Sequence, residues 1–447
     1  MQGKDVREVF GAILPTSEVE KLADELGVIE RERKLQLVEL VRSIVLETGT
    51  PNGGVQADIM RAYLENEVPT VTRPAFYGWF HEPLERLMER LAHRALKYAY
   101  SLKVDLPSPL DIVSDWYIVD SSTVKLSDTL VDEFQGTGDY AAIKVHKKIS
   151  VGRGSTVKYH FSPAREHDSI HLVIDETWRG CGLLADLAYV SLDRLNACDA
   201  HGVYYDVRLK DNWKPRVQSI GRGEVTRTFF AGADFDVLLD QETILLDGKA
   251  IDLDVEIGRG KKMLKCRLVG VPTPKGYCFF LTNLPPRIGP LQVGDIYRVR
   301  WEIEINNKLD KSVNRLDESD AERPCSLKTL LHASLIASVI ATALTHKHNL
   351  ETLPTTKNGV RTKPPLHPML LARMLAQLSM RISAAMELKG KEADRAWEFI
   401  ASRLVHMGQD PNWRRRPSVL DKMRGWKVQS RPLAKRSTTP VTEAKVA

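Results

Sequence analysis

Residues 116–120, WYIVD, 140–151, YAAIKVHKKISV, and 155–161, STVKYHF, are short runs rich in Val, Ile, Tyr and Phe, punctuated by Gly136, Gly138, Gly152 and Gly154. β-Branched and aromatic residues fit a pleated, half-buried surface, and glycine clusters mark the turns between such runs. Three strands are therefore predicted, with GRGS at 152–155 as the turn between the last two. HDSIHLVIDETW (167–178) reads as a helix, CGLLAD (181–186) as a strand, AYVSLDRLNACDA (188–200) as a helix and VYYDVRL (203–209) as a strand. That order predicts an α/β core: a mixed sheet flanked by helices, with β-α-β connections after the first hairpin pair.

Downstream, Ile251, Leu253, Val255 and Ile257 alternate with Asp252, Asp254 and Glu256 after an Asp247-Gly248 turn. This period of two predicts an antiparallel β insertion. Helical spacing returns in DIYRVRWEIEINNKLDKSVNRL (295–316), in SLKTLLHASLIASVIATAL (326–344) with Ser326 as a plausible N-cap, and in 364–388. Upstream, 17–27, 31–49 (closing at Gly49) and the segment from Pro74 onward carry amphipathic helical patterns. The expected organisation is a helical N-terminal region (1–105) that could contact DNA, a core in two parts (106–211 and 288–350) interrupted by a β insertion (212–287), C-terminal helices (351–410) and a basic tail (411–447).

At 447 residues the chain has room for about three domains. With 43% hydrophobic and 27% charged residues it is not a disordered chain. The net charge of +6 matters only where it is concentrated. Asn412 to Arg436 holds nine Lys and Arg against Asp421, with Trp413 and Trp426 interleaved, a composition suited either to a solvated tail or to a phosphate-binding arm. The five scattered cysteines have neither disulfide-framework nor zinc-ligand spacing, which fits a reducing cytoplasm. No export signal is read at the N-terminus. Leu327 to Leu344 carries Lys328, His332 and several Ser and Thr, so it is read as a buried helix and no membrane partner is expected.

On an ideal helix Tyr297, Arg300, Glu304 and Lys311 fall within a stripe of about 60°, while Ile296, Val299, Ile303 and Val313 fill a separate arc. Taken alone, Arg300, Glu304 and Lys308 are equally well explained as i, i+4 pairs on a solvated face. Two further acids shift the balance. Asp120 closes the apolar run 116–119 and Asp186 closes 183–185, and strand ends are where α/β proteins place their sites. Three converging carboxylates suit a hard divalent cation such as Mg²⁺, and two such ions assist phosphoryl transfer. On this reading Asp120 bridges both ions, Asp186 holds one and Glu304 the other.

Tyr297, Arg300, Glu304 and Lys311 together spell Tyr-x2-Arg-x3-Glu-x6-Lys, with Trp301 and Ile303 between them. In this the chain resembles the DDE transposases of bacterial insertion sequences, in the cut-and-paste family that carries the Y-R-E-K signature, of insertion-sequence family four type. VDSSTVKL resembles that family's first-aspartate region, LLADLAYVSL its second, and TNL at 282–284 precedes the signature as it does there; the resemblance spans about 105–345. One departure is Asp186-Leu187-Ala188-Tyr189, where the family has Asp-x-Gly-Tyr; Asp193 and Asp206 are the alternatives to Asp186.

The resemblance implies a ribonuclease H-like core and catalysis by Asp120, Asp186 and Glu304 with two Mg²⁺ ions, for which Mn²⁺ can substitute. It implies DNA contacts from Tyr297, Arg300, Lys311, Trp301 and Lys308, although core packing is the safer reading for the Trp301 indole. It further implies double-stranded transposon-end and target DNA as partners, a homodimer or larger synaptic complex, and a cytoplasmic, nucleoid-associated place in a bacterium. The alternatives are a Mg²⁺-dependent nuclease without strand transfer and a non-catalytic DNA-binding regulator. His167 and His171 have helix spacing for two metal ligands but complete no recognisable zinc set.

Overall fold

The computed structural model describes residues 1–29, 35–47, 55–66, 68–220, 249–313, 321–351, 363–413 and 417–426. Its centre is a nine-stranded mixed sheet in the order β3-β2-β1-β4-β5-β9-β8-β7-β6. The strands are β1 (Trp116–Lys125), β2 (Ala142–Ser150), β3 (Ser155–Pro163), β4 (Gly182–Ala185), β5 (Tyr204–Arg208), β6 (Arg216–Ile220), β7 (Ile251–Ile257), β8 (Leu264–Thr273) and β9 (Gly276–Thr282). β1 to β3 form an antiparallel meander, while β1, β4 and β5 run parallel. This is the ribonuclease H-like arrangement, and β9 then joins β5 antiparallel so that β6 to β9 extend the same sheet.

Side chains of a strand point alternately to its two faces. In β1, Tyr117 and Val119 pack with Leu183, Ala185, Trp178 and the helix Leu192–His201 on one face. Trp116 and Ile118 pack on the other with Leu184 and with Val293, Ile296, Val299 and Ile303 from the chain after β9. Burial on both sides is what a central parallel strand requires, and the run WYIV supplies it. The tip of the meander, Val124, Ile143 and Val145, joins a large helical core built from the N-terminal helices, the helix Pro324–Glu351 and the C-terminal helices. Pro324–Glu351 is long and apolar enough to cross a membrane by composition, but 89% of its most apolar window is buried inside the protein, where it packs against Glu82–Ser101.

The structure corrects several expectations. Residues 167–178 form two single 3-10 turns, Asp168–His171 and Glu176–Trp178, instead of a helix. His167 and Asp175 turn their side chains onto the backbone N–H groups of Ser169 and Thr177, and such local bonds compete with helix formation. Asp120 does not end its strand, because β1 runs on to Lys125 in register with β2. Residues 295–313 are not one regular helix: the chain passes from the helix Pro290–Arg298 through a 3-10 turn at Val299–Trp301 and the helix Glu302–Lys308 to a π turn at Leu309–Val313. The long helix starts at Pro324, so Ser326 is inside it. Helices Gly3–Ile13, Gln56–Glu65 and Gly390–Met407 fall in the regions expected to be helical, although none of them was singled out there. Gly49 and the Asp247-Gly248 turn lie outside the described residues.

One glycine sets how closely β1 and β4 approach. Gly182 pairs with Trp116, whose indole is fully buried, and a Cβ at position 182 would fall against that ring. Gly182→Ala should therefore cost about 1–3 kcal/mol by overpacking, read as a lowered Tm or denaturation midpoint.

His332, buried in the long helix, has a ring nitrogen 2.8 Å from the Tyr159 hydroxyl. Burial, reinforced by the charges of His93 and Lys328, pushes its pKa down to about 3. An unfolded histidine titrates near 6.5, so between those values the unfolded chain binds a proton that the native chain refuses. The stability is fully present above about pH 6.5 and is lost as the pH falls toward 3, at on the order of 1 kcal/mol per pH unit. His332→Gln should flatten this part of a plot of Tm against pH.

Candidate active site

Parallel pairing brings the first two acids together. Val119 is opposite Ala185, so Asp120 and Asp186 follow abreast on neighbouring strands, whose axes lie about 4.8 Å apart. Alternation places both on the face of Ile118 and Leu184, which is also the face covered by Ile303. Glu304, next in the chain, thereby comes to the same side of the sheet.

Asn307 clamps helix to strand, donating from Nδ2 to Oδ2 of Asp120 at 3.0 Å. The Asp120 carboxyl titrates above its ordinary range, first because it is buried; the Ser121 N–H, Asn307 and the Arg300 charge pull it back, and the Glu304 charge pushes it up. Asp120 and Glu304 are thus close enough to repel. Arg300 Nη1 lies 3.8 Å from Glu304 Oε1, so one guanidinium faces both acids. The Tyr297 hydroxyl is buried, has no hydrogen-bond partner among the described residues and is pushed up to about 12, chiefly by burial, with Arg300 opposing and Asp186 adding to the shift. Its ring packs on Phe280 at 5.1 Å. Asp186 is exposed at the start of the 3-10 turn Leu187–Tyr189. Ala188 lies within that right-handed turn, so the missing glycine brings no backbone strain.

The remaining predicted residues divide. Lys311 belongs to the π turn, off the row that ideal periodicity projects, and its charge is felt by Lys147. Lys308 is exposed. Trp301 is 63% exposed, which corrects the expectation of a core indole. Asp193 is exposed and ion-paired with Lys262 at 2.8 Å. Asp206 is fully buried in β5 with neither oxygen hydrogen-bonded among the described residues, and its pKa lies well above the ordinary value because of burial. Of the three candidates for the second acid, only Asp186 combines exposure with a place on the Asp120 and Glu304 face.

Sequence reasoning missed the polar layer beneath the site. Lys147, the register partner of Asp120, is buried and ion-paired with Asp310, which also accepts from Ser338 Oγ. Asn306 Oδ1 faces Lys147 Nζ at 3.5 Å and Thr156 Oγ1 at 3.4 Å. The available signal was the Asn306-Asn307 pair, two amides where a solvated face would more commonly carry charge. TNL is a latch: Asn283 Oδ1 accepts from Tyr205 N at 2.9 Å, its Nδ2 donates to Val203 O at 2.9 Å, and Thr282 Oγ1 donates to Tyr205 O at 2.6 Å. In the tail, Arg424 is ion-paired with Asp105 at 2.6 Å and Trp426 is buried, so neither is a free arm; Arg414–Arg416, Lys427, Arg431, Lys435 and Arg436 lie outside the described residues.

Among the described residues no three His, Cys, Asp or Glu side chains are gathered as a ready metal cage. The donor set is nonetheless all oxygen, and the Asp120 and Glu304 repulsion is the electrostatic state that a hard cation relieves, so the residues fit a divalent ion in chemistry.

These features make an acid-lined site, of a chemistry suited to phosphoryl transfer, on a ribonuclease H-like sheet. The family model described as "Transposase DDE domain" matches residues 114–340, half of the chain, and the protein belongs to that family. The chain is 23% identical over 392 residues to the transposase for insertion sequence element IS231D of Bacillus thuringiensis subsp. finitimus, covering 76% of this chain and 79% of that one. It is 22% identical over 384 residues to the transposase for IS231B of Bacillus thuringiensis subsp. berliner, covering 75% and 78%. Among solved structures, the piggyBac transposase in a synaptic complex with hairpin DNA aligns with a TM-score of 0.44 and 10% identity over 91% of this chain and 88% of that one. The chain is accordingly a DDE transposase related to the IS231 group of insertion sequences, and the family implies divalent metal ions.

Asn307 gives the first test of this geometry. Asn307→Ala removes a hydrogen bond to the charged form of Asp120, so the carboxyl should titrate higher still. Cleavage activity should fall roughly ten- to a hundredfold, consistent with about 1.5–3 kcal/mol for a hydrogen bond to an ion, and its acidic pH limb should move upward.

Proposed function

We propose that the protein binds the terminal inverted repeats of its insertion sequence, cuts the DNA at both ends and joins the freed 3′-hydroxyls to target DNA by a cut-and-paste route. The observation that carries this reading is the coupling of Asp120 to Glu304 through Arg300 and Asn307, beside Asp186 on the next strand. Held by Asp120, Asp186 and Glu304, two Mg²⁺ ions, or Mn²⁺ in their place, would supply Lewis-acid charge to the scissile phosphate and to its entering and leaving oxygens.

The chain's own residues do the positioning. Arg300 and Lys311 suit the phosphates flanking the cut, Arg300 with a planar fork already oriented by Glu304. Lys308 extends the cationic line into solvent, and the exposed Trp301 indole offers a face on which an unpaired base can stack. Tyr297, wedged between Phe280 and Arg300, holds the guanidinium in place. Water and a DNA hydroxyl are equivalent nucleophiles at phosphorus, so one set of groups serves both cutting and joining. Both ends must be held during excision, which calls for a dimer or larger synaptic assembly inside the bacterial cell.

Asp120→Ala and Glu304→Ala should each abolish metal-dependent cleavage of end DNA while leaving binding of that DNA in a gel-shift assay within a few fold. Variants that still cut would refute the assignment.

A further inference from the structure

On the sheet face opposite the carboxylates, β2 and β3 set two lysine charges against each other, beside two histidines whose protonation burial disfavours. Their register pairs Lys148 with Lys158 and His146 with His160. Directly opposed like charges destabilise a strand pair. The segment from Glu166 to Trp178 arches over this surface. His171 brings its ring to 4.1 Å from that of His146 and 4.9 Å from that of His160, and the Lys148 ammonium sits 4.6 Å from the Trp178 ring and 4.4 Å from the Tyr117 ring. These groups border a cavity of about 140 Å³. An engineered cavity of comparable size holds benzene.

The carboxylates that line or flank the cavity are already engaged: Asp120 borders it from β1 while its Oδ2 takes Asn307 on the other face of the sheet at 3.0 Å. Asp175 accepts from the Thr177 N–H at 3.0 Å and from its hydroxyl, Asp168 takes Lys144 at 3.0 Å and Ser121 at 2.8 Å, and Glu166 lies 3.1 Å from His171. Among the described residues no carboxylate is within ion-pair distance of Lys148 or Lys158. Burial and the Lys158 charge both disfavour the charged form of Lys148. His146 is buried, bonded through Nε2 to Ser162 Oγ at 2.8 Å, and its Nδ1 has no partner among the described residues.

We propose that this cavity is an oxyanion subsite that takes a phosphate group, distinct from the carboxylate face. A phosphate between Lys148 and Lys158 supplies the negative charge their register lacks, and one tautomer of His146 turns Nδ1 into a donor for it. Two sources share this chemistry, a DNA backbone and a free phosphate. The rim favours DNA, because Val173 (68% exposed) lines the cavity as apolar surface suited to a deoxyribose. The DNA assignment rests on the proposed function; the oxyanion subsite does not.

The test joins Lys148→Gln to Lys158→Gln and measures binding of random-sequence duplex DNA by fluorescence anisotropy over a salt series. The slope of log affinity against log salt should fall by about 0.9 for each lost phosphate contact, and the paired Arg substitutions should preserve it. In a second arm, inorganic phosphate is titrated into the wild-type chain while the ring signals of His146 and His160 are followed by NMR. A changed salt slope supports DNA as the source. An unchanged slope with phosphate-dependent histidine shifts supports the subsite and assigns it a free phosphate. Absence of both the slope change and the histidine shifts overturns the proposal, and the phosphate arm needs no variant to fold. Cleavage by Asp120→Ala would refute the catalytic reading without altering either of these measurements.

Discussion

The parallel pairing of β1 with β4 is the constraint on which the rest of the site depends. Its register, Val119 opposite Ala185, decides that Asp120 and Asp186 stand side by side, and a slip by one residue would send one of them to the opposite face. That register tolerates no side chain at Gly182, where the buried Trp116 indole fills the space. The indole is itself anchored by a hydrogen bond from Nε1 to Leu110 O at 3.0 Å. A packing detail at the start of the strands thus fixes the position of the acids four residues further along.

The third acid reaches the site by a different route. Its helix is seated through Val293, Ile296, Val299 and Ile303, and then tied by polar bonds that a purely apolar seam would lack. Asn307 reaches Asp120, Asn306 faces Lys147 and Thr156, and Asp310 takes the buried Lys147. Breaking one partner of a buried ion pair leaves an uncompensated charge, so these bonds specify the helix's place as well as stabilise it. The π turn at Leu309–Val313 follows the same logic, since it is the segment in which Asp310 meets both Lys147 and Ser338. At the other end, the TNL latch ties the exit of β9 to β5 just before the helix begins.

Much of this was legible in the chain. The strands β1 to β5, the alternation of β7 and the apolar arc of the signature helix follow from period-two and period-3.6 patterns, which reflect which face is buried. Asp120, Asp186 and Glu304 were legible as candidate acids after apolar runs and on a helix face, although Asp120 lies inside β1 and not at its end, and the Tyr-Arg-Glu-Lys spacing selected the family. The failures also have physical causes. His167 and Asp175 bond to their own neighbours' N–H groups, which ended a helix that the apolar pattern favoured. Trp301 was read as core because indoles are usually buried, yet it points to solvent beside a helix seated by smaller side chains. Lys147 was overlooked: alternation puts it on the inward face with Ile143, Val145 and Ile149, but nothing in the local sequence names the buried ion partner that lets a lysine sit there.

The sequence by itself determined the class of sheet, the succession of core strands along the chain and the candidate acids, because burial periodicity and residue type are local properties of the chain. Only the tertiary structure decided which aspartate is exposed beside Tyr297, which asparagine holds Asp120, and how β2 and β3 oppose Lys148 to Lys158 on the reverse face. Those outcomes depend on register and on contacts between residues more than a hundred positions apart or on separate strands, and neither is written in local spacing.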